Sequence, residues 1–234
     1  MSRHLLALFA GIVTGVLLFA AILYLNPFTA RNTLSPLSVS DNEIITFNYS
    51  AVADDAIVFT NDGESQVSPN PSKVLQLWEP TVSSTAAMVT TLKDSRNSRA
   101  AIAVKFSSKS EASNIFDGKI MVNSVWHIFA PGQGTLFIEQ QENYWSYLRK
   151  IVVPAYWSAG DSWKGNWTGN ITAGPGPLGT ARVVGGSGIF AGLEMDGVES
   201  LSARAYSVES GPVALDGELT IELPRLDATV TADP

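Results

Sequence analysis

The sequence predicts a mainly β protein, a sandwich or closed antiparallel barrel, preceded by one apolar helix. Three observations lead there. Residues Leu5 to Leu25 carry no charge. Short stretches of strand-like residues then recur between Gly- and Pro-containing turns. Near the end, Val213, Leu215, Leu219, Ile221 and Leu223 alternate with Ala214, Asp216, Glu218, Thr220 and Glu222, the pattern of a half-buried antiparallel strand.

The composition narrows the function classes. The chain has 234 residues, 45% of them hydrophobic, so a substantial core is within reach. Its formal net charge is -7, with no basic run longer than Arg149-Lys150. That argues against nucleic acid, because phosphate binding needs clustered Lys and Arg. Cysteine is absent and only His4 and His127 are present. Disulfides and thiolate metal sites are thereby excluded, and a histidine metal site is not expected. No cofactor is expected.

The uncharged run LLALFAGIVTGVLLFAAILYL would span about 31 Å as a helix, roughly the hydrocarbon thickness of a bilayer. It is longer than a signal-peptide core and lacks a good cleavage site, so a retained signal-anchor is preferred over a cleaved signal. Arg3 and His4 precede it and Arg31 follows. The positive-inside rule then favours a cytoplasmic N-terminus and an extracytoplasmic (periplasmic or luminal) domain. Ala7, Gly11 and Gly15 make a small-residue stripe suited to close helix packing. The domain reading is an anchor over 1–26, a linker over 27–42, a β domain over 43–224 and a flexible tail over 225–234.

Within the β domain, strands are expected at Glu43–Tyr49, Ala56–Thr60, Lys73–Val82, Ala100–Ser107, Lys119–Ala130, Thr135–Glu142 and Val198–Val208, and in the final alternating run. Thr85–Leu92 reads as strand or short helix, and Trp145–Val153 as strand or helix. Ser108–Phe116 is the best candidate for a helical turn, capped by Ser110 or Ser113. In Ala100–Ser107, Ile102, Val104 and Phe106 share one face and Lys105 takes the other. Asn61-Asp-Gly63 and Pro131-Gly-Gln-Gly134 are turn signals, and Gly174-Pro-Gly-Pro177 is a hard break.

The stretch Val184-Gly-Gly-Ser-Gly-Ile-Phe-Ala-Gly192, followed by Gly197 and an alternating strand, resembles the allene oxide cyclase and dirigent superfamily. The match is local, centred on Gly185–Gly192. The resemblance implies a calycin-like barrel of about eight antiparallel strands, often a homotrimer, with an apolar cavity. In plant members that cavity steers a reactive intermediate to one stereochemical outcome. The acidic residues of those members find no counterpart here, so the activity is not carried over. Physically, Gly185, Gly186, Gly188 and Gly192 suit a sharp hairpin, with Phe190 turned back to fill the barrel end.

No Walker, Rossmann, GxSxG or HExxH motif occurs, and no catalytic residue is assigned. Three residues are weak ligand-binding candidates. His127 lies on a strand face with Asn123, Val125 and Phe129, and a packing role is preferred for it. Arg204 and Tyr206 share one face of the strand after the glycine hairpin. If that face were interior, Arg204 would need a carboxylate partner, such as Glu139 or Glu79, or an anionic ligand; an exterior face is preferred. Aromatics concentrate over Tyr144–Trp167, read first as packing, then as an interfacial belt, then as a partner platform. These observations favour a non-catalytic accessory subunit of a membrane complex. Its partners would be the lipid bilayer and other membrane subunits, contacted through Gly11/Gly15 and the aromatic segment. The alternative is a barrel that binds or isomerises a small apolar, lipid-derived ligand.

Overall fold

A computed structural model describes residues 2–25, 43–52, 57–61, 64–67, 85–192 and 195–223. The expected strand at Lys73–Val82, the linker and the tail lie outside these residues. The strands are β1 (Glu43–Ser50), β2 (Ile57–Asn61), β3 (Glu64–Val67), β4 (Thr85–Lys93), β5 (Arg99–Lys109) and β6 (Met121–Ala130). They continue with β7 (Gly134–Asn143), β8 (Ser162–Asn170), β9 (Thr172–Gly174), β10 (Ala181–Gly186), β11 (Met195–Ser207) and β12 (Gly211–Leu223).

Neighbouring strands follow the order β1-β12-β11-β10-β7-β6-β5-β4, and β1 pairs back to β4 at Asn48 and Lys93. The result is a closed, antiparallel eight-stranded barrel. Closure removes the free sheet edges that would otherwise pair with other chains. β2 and β3 form a hairpin on β4, with Asn61 opposite Glu64 across the expected turn. β8 pairs with the second half of β11, and β9 with the end of β7.

The end of the barrel at Lys109, Met121 and Asn143 is covered by the segment joining β7 to β8. That segment, left open between strand and helix by its sequence, is helical: α2 (Trp145–Tyr147), a π stretch over Leu148–Val152, and α3 (Val153–Trp157). Ile151 and Ala155 point from it into the core. Thr85–Leu92 is strand, because its residues pair with both β2 and β5. The helical turn expected over Ser108–Phe116 is displaced. Ser107 and Ser108 continue the ladder opposite Ser124 and Asn123. The turn is a single 3-10 turn at Ile115–Asp117, capped by Asn114, whose side-chain oxygen accepts from Phe116 N at 3.0 Å. Pairing to β6 outweighed the local helical preference.

The glycine stretch forms a corner beside the β6–β7 turn. Gly188 has φ 65°, and a Cβ there would run into the Gln133 carbonyl. Phe190 is 1% exposed and sits in the core with Val183, Leu136 and Ile138.

At the N-terminus, α1 covers Ser2–Leu25. Its described side chains, from Ala7 to Ala21, are exposed, and nothing lies within 4 Å of a Cβ built on Gly11 or Gly15. Among the described residues no helix is long and apolar enough to cross a membrane. The sole ring contact between α1 and the barrel among the described residues is Phe19 against Phe116, at 5.9 Å between centroids.

Candidate functional site: a buried charge cluster inside the barrel

In a barrel wall, alternate residues point inward. On β5 the inward set is Ala101, Ala103 and Lys105, while Ile102 and Phe106 face out. On β7 the inward set is Leu136, Ile138, Gln140 and Glu142. Glu199 enters from β11, Ser124 and Trp126 from β6, and Tyr49 from β1. These side chains meet at one level of the barrel.

Lys105 Nζ lies 2.6 and 2.9 Å from the two carboxylate oxygens of Glu199, and 2.8 Å from Glu142 Oε1. The lysine side chain is 7% exposed and both glutamates 0%. Each carboxylate is ringed by further donors. Glu199 accepts from the Tyr49 hydroxyl, from the Gln140 amide and from Trp126 Nε1 at 3.1 Å. Glu142 accepts from the Ser124 hydroxyl, from Gln140 Nε2 at 2.6 Å and from the Tyr144 hydroxyl at 2.6 Å. The ammonium also stands 5.0 Å from the Trp126 ring centre, a cation–π distance. The backbone of Glu199 is fixed as well, its N–H donating to Thr172 Oγ1 at 2.7 Å.

The electrostatics follow from this ring of donors. Burial alone would push the Lys105 ammonium down, but Glu142 and Glu199 together hold it above its ordinary value. Burial would raise Glu142, yet Lys105, Ser124 and Tyr144 hold it below the usual carboxylate range. Tyr49 and Tyr144 are raised well above theirs, first by burial and then by the neighbouring carboxylates. Both therefore remain protonated donors. One ammonium against two carboxylates leaves a single uncompensated negative charge, which the neutral donors spread. The Gln140 amide nitrogen is committed to both glutamates, and its buried carbonyl oxygen finds no hydrogen-bond partner among the described residues. Such a cluster can hold charge and fix strand register. To act as an acid or base it would have to release one of these contacts and admit a reactant.

A shallow cavity of about 230 Å³ lies nearby, on the outer wall rather than inside. Its outward-facing lining includes Phe106, Asn123, Val125 and Glu139. Among the described residues no group of His, Asp and Glu has metal-holding geometry.

The ligand candidates drawn from the sequence do not join the cluster. His127 is on the outer wall, its ring stacked on Phe137 at 4.3 Å and 18°. Arg204 is exposed and pairs with Asp216 at 2.6 Å, with side chains 65% and 51% exposed. The partner is therefore neither Glu139 nor Glu79, the latter lying outside the described residues. A pair this exposed contributes at most about 1 kcal/mol. Arg204→Ala should thus shift the melting temperature by no more than about 4 °C, as calorimetry would show. Tyr206 does not share the Arg204 face, because bulges at Ala203/Ala205 and Ala205/Tyr206 break the alternation. Its ring meets Tyr147 edge-on at 6.3 Å.

Of the aromatic segment, Tyr147 packs on Tyr144, Trp167 and Tyr206, whereas Tyr156 and Trp157 stand exposed. The sequence places Lys105 on its strand but does not bring it together with Glu142 and Glu199. The available signal was phase: Gln140 and Glu142 fall in step with Leu136 and Ile138.

No family model and no curated protein matches the chain. Among solved structures it is similar to the pterocarpan synthase dirigent protein GePTS1, with TM-score 0.42 and 10% identity over 80% of this chain and 89% of that one. The pterocarpan synthase dirigent protein PsPTS1 gives 0.40 and 11%, over 80% and 98%. A nonspecific heme-binding cyclase that catalyses a cycloaddition during neoabyssomicin biosynthesis gives 0.34 and 10%, over 83% and 74%.

Proposed function

We propose that the chain is a membrane-anchored β-barrel that works as a non-catalytic accessory or assembly subunit of a membrane complex, with the barrel on the extracytoplasmic side. One observation carries the assembly part of this reading: the outer wall of β5, β6 and β7 is apolar where solvent would favour polar residues. Ile102 stands opposite Phe129, Phe106 opposite Val125, and His127 opposite Phe137. Ile102 is 55% and Phe129 52% exposed, and Val184 extends the patch onto β10. A contiguous apolar patch of this kind marks a contact surface on a soluble face. The anchor is supported by the uncharged run Leu5–Leu25 and by the exposed apolar surface of α1. The open Gly11/Gly15 stripe suits a second helix.

The test is gentle detergent extraction of the tagged full chain, followed by mass spectrometry. Co-purifying membrane subunits are expected. The double variant Phe129→Glu/Phe137→Glu should reduce their recovery at least tenfold while leaving the melting temperature within a few degrees, since both side chains face outward. Recovery of the chain alone, or unchanged partners in the variant, overturns the reading.

A second reading is kept for one reason, the acid and base groups of Lys105, Glu142 and Glu199 inside a barrel. In it, the barrel binds or isomerises a small apolar ligand. A small molecule retained through purification, displaced when the cluster is altered by Glu199→Gln, would favour this reading over the first.

A further inference from the structure

We propose that the end of the barrel carrying the β5–β6 turn is a bilayer-contacting rim, whose exposed side chains Ile115, Phe116, Tyr156 and Trp157 enter the headgroup region of the membrane that holds α1. This inference rests on the anchor reading above and adds to it an orientation of the barrel.

The four residues come from two segments brought to one end by topology. β5 runs towards this end and β6 leaves it, with Ile115 and Phe116 in the turn between them. β7 arrives at the same end, and β8, which begins beside Ser207 at the end of β11, leaves it. The helical segment joining β7 to β8 therefore crosses this end and places Tyr156 and Trp157 on it. Asn143 ties the two segments together. Its side-chain oxygen accepts from Ile120 N at 3.1 Å and Trp145 N at 3.0 Å, and its amide donates to the Gly118 carbonyl at 3.1 Å.

The side chains at this end fit an interface by their chemistry. Trp157 is 77% exposed, and Ile115, Phe116 and Tyr156 are each about half exposed. Trp and Tyr are the residues enriched at headgroup depth, where a ring finds an apolar side and a wet side. Among the described residues, the charged groups at this end are Lys109, Lys119, Arg149, Lys150 and Lys164 against Glu64, Glu111, Asp117, Asp161 and Glu209, a balanced set in a chain whose net charge is -7.

The occupant is set by continuity with α1. Phe19 of α1 meets Phe116 of the turn edge-on, so the apolar helix and this part of the rim adjoin. Phe19 lies six residues before Leu25, which in a helix is about 9 Å of depth. Interfacial apolar groups sink about 5–10 Å into the headgroup and acyl boundary. A turn that reaches Phe19 is therefore at the depth at which Phe116 would sit in the interface.

The chain contains no cysteine, so single cysteines report cleanly. The full chain is reconstituted into phosphatidylcholine/phosphatidylglycerol vesicles as Phe116→Cys, Trp157→Cys and, at the opposite end, Arg96→Cys. Each is labelled with a polarity-sensitive fluorophore. A lipid-borne quencher should dim the labels at 116 and 157 at least threefold more than the label at 96, and an aqueous quencher should do the reverse. Labels at 116 and 157 that meet the aqueous quencher as fully as the label at 96 overturn the rim. Labels shielded from both quenchers also overturn it, in favour of contact with another copy of the chain. Alkaline carbonate extraction reads the anchor separately. A chain that is retained but has water-exposed labels refutes the rim alone, and a chain that washes off refutes the anchor.

Discussion

Replacing Lys105 by methionine is expected to lower stability by about 3–5 kcal/mol, the usual penalty for leaving buried charges without their partner. For a chain of this size that is a fall in melting temperature of roughly 6–20 °C. The loss arises because Glu142 and Glu199 remain buried with one ammonium fewer, while their neutral donors stay in place. The pH dependence distinguishes this cause from simple loss of packing. In the native chain Glu142 is held below its unfolded value, so its stabilisation is present above a pH of about 4.3 and fades as pH falls. Lys105 is held above its unfolded value, so its contribution is present below a pH of about 10.4 and is lost as pH rises through the folded value. In Lys105→Met the buried Glu142 carboxylate, having lost its ammonium, favours protonation instead, and the variant gains relative to the native chain as pH falls. Thermal unfolding measured between pH 4 and 8 should show the gap narrowing toward acid. A gap of constant size would mean that the lysine acts only as filler.

Gly217→Ala is expected to be nearly as damaging, at about 3 kcal/mol. Gly217 stands directly opposite Tyr49 across the β1–β12 ladder, and the tyrosine ring lies over its Cα, so that a Cβ would overlap the ring. Overpacking alone costs about 1–3 kcal/mol. Pushing the ring aside also withdraws its hydroxyl from Glu199, a hydrogen bond to a charged group, for about 1.5–3 kcal/mol more. The two terms overlap, because both act through the same ring. In a Tyr49→Leu background the alanine meets no hydroxyphenyl group, so adding Gly217→Ala should cost under about 1 kcal/mol. Chemical denaturation of the four chains closes this cycle. An equal cost in both backgrounds would show that Gly217 matters for its backbone rather than for the space it leaves.

The two residues illustrate what could be read in advance. Gly217 sits in an alternating strand that the sequence marks clearly, but its role depends on the partner strand at Tyr49, far away in the chain. Lys105 was visible as the odd residue on an apolar strand, and its phase was correct. What the alternation could not supply was the sign. A strand with Ile102, Val104 and Phe106 on one side and Lys105 on the other reads equally well inverted. Solvent-facing lysine is the commoner arrangement, and the structure departs from it because two inward carboxylates stand at the same level.

The sequence by itself determined the apolar N-terminal run, the succession of antiparallel strands, the turns at Pro131–Gly134 and Gly174–Pro177, and the glycine corner with Phe190 behind it. These follow from local rules of periodicity, backbone freedom and charge that act over a few residues. On β12 the alternation already marked the inward face, but on β5 only the tertiary structure decided which face points inward. Closing β1 onto β4 brings Tyr49, Lys105, Ser124, Trp126, Gln140, Glu142 and Glu199 together from separate strands. Their attraction exists only once the barrel excludes water, so no local pattern could announce it.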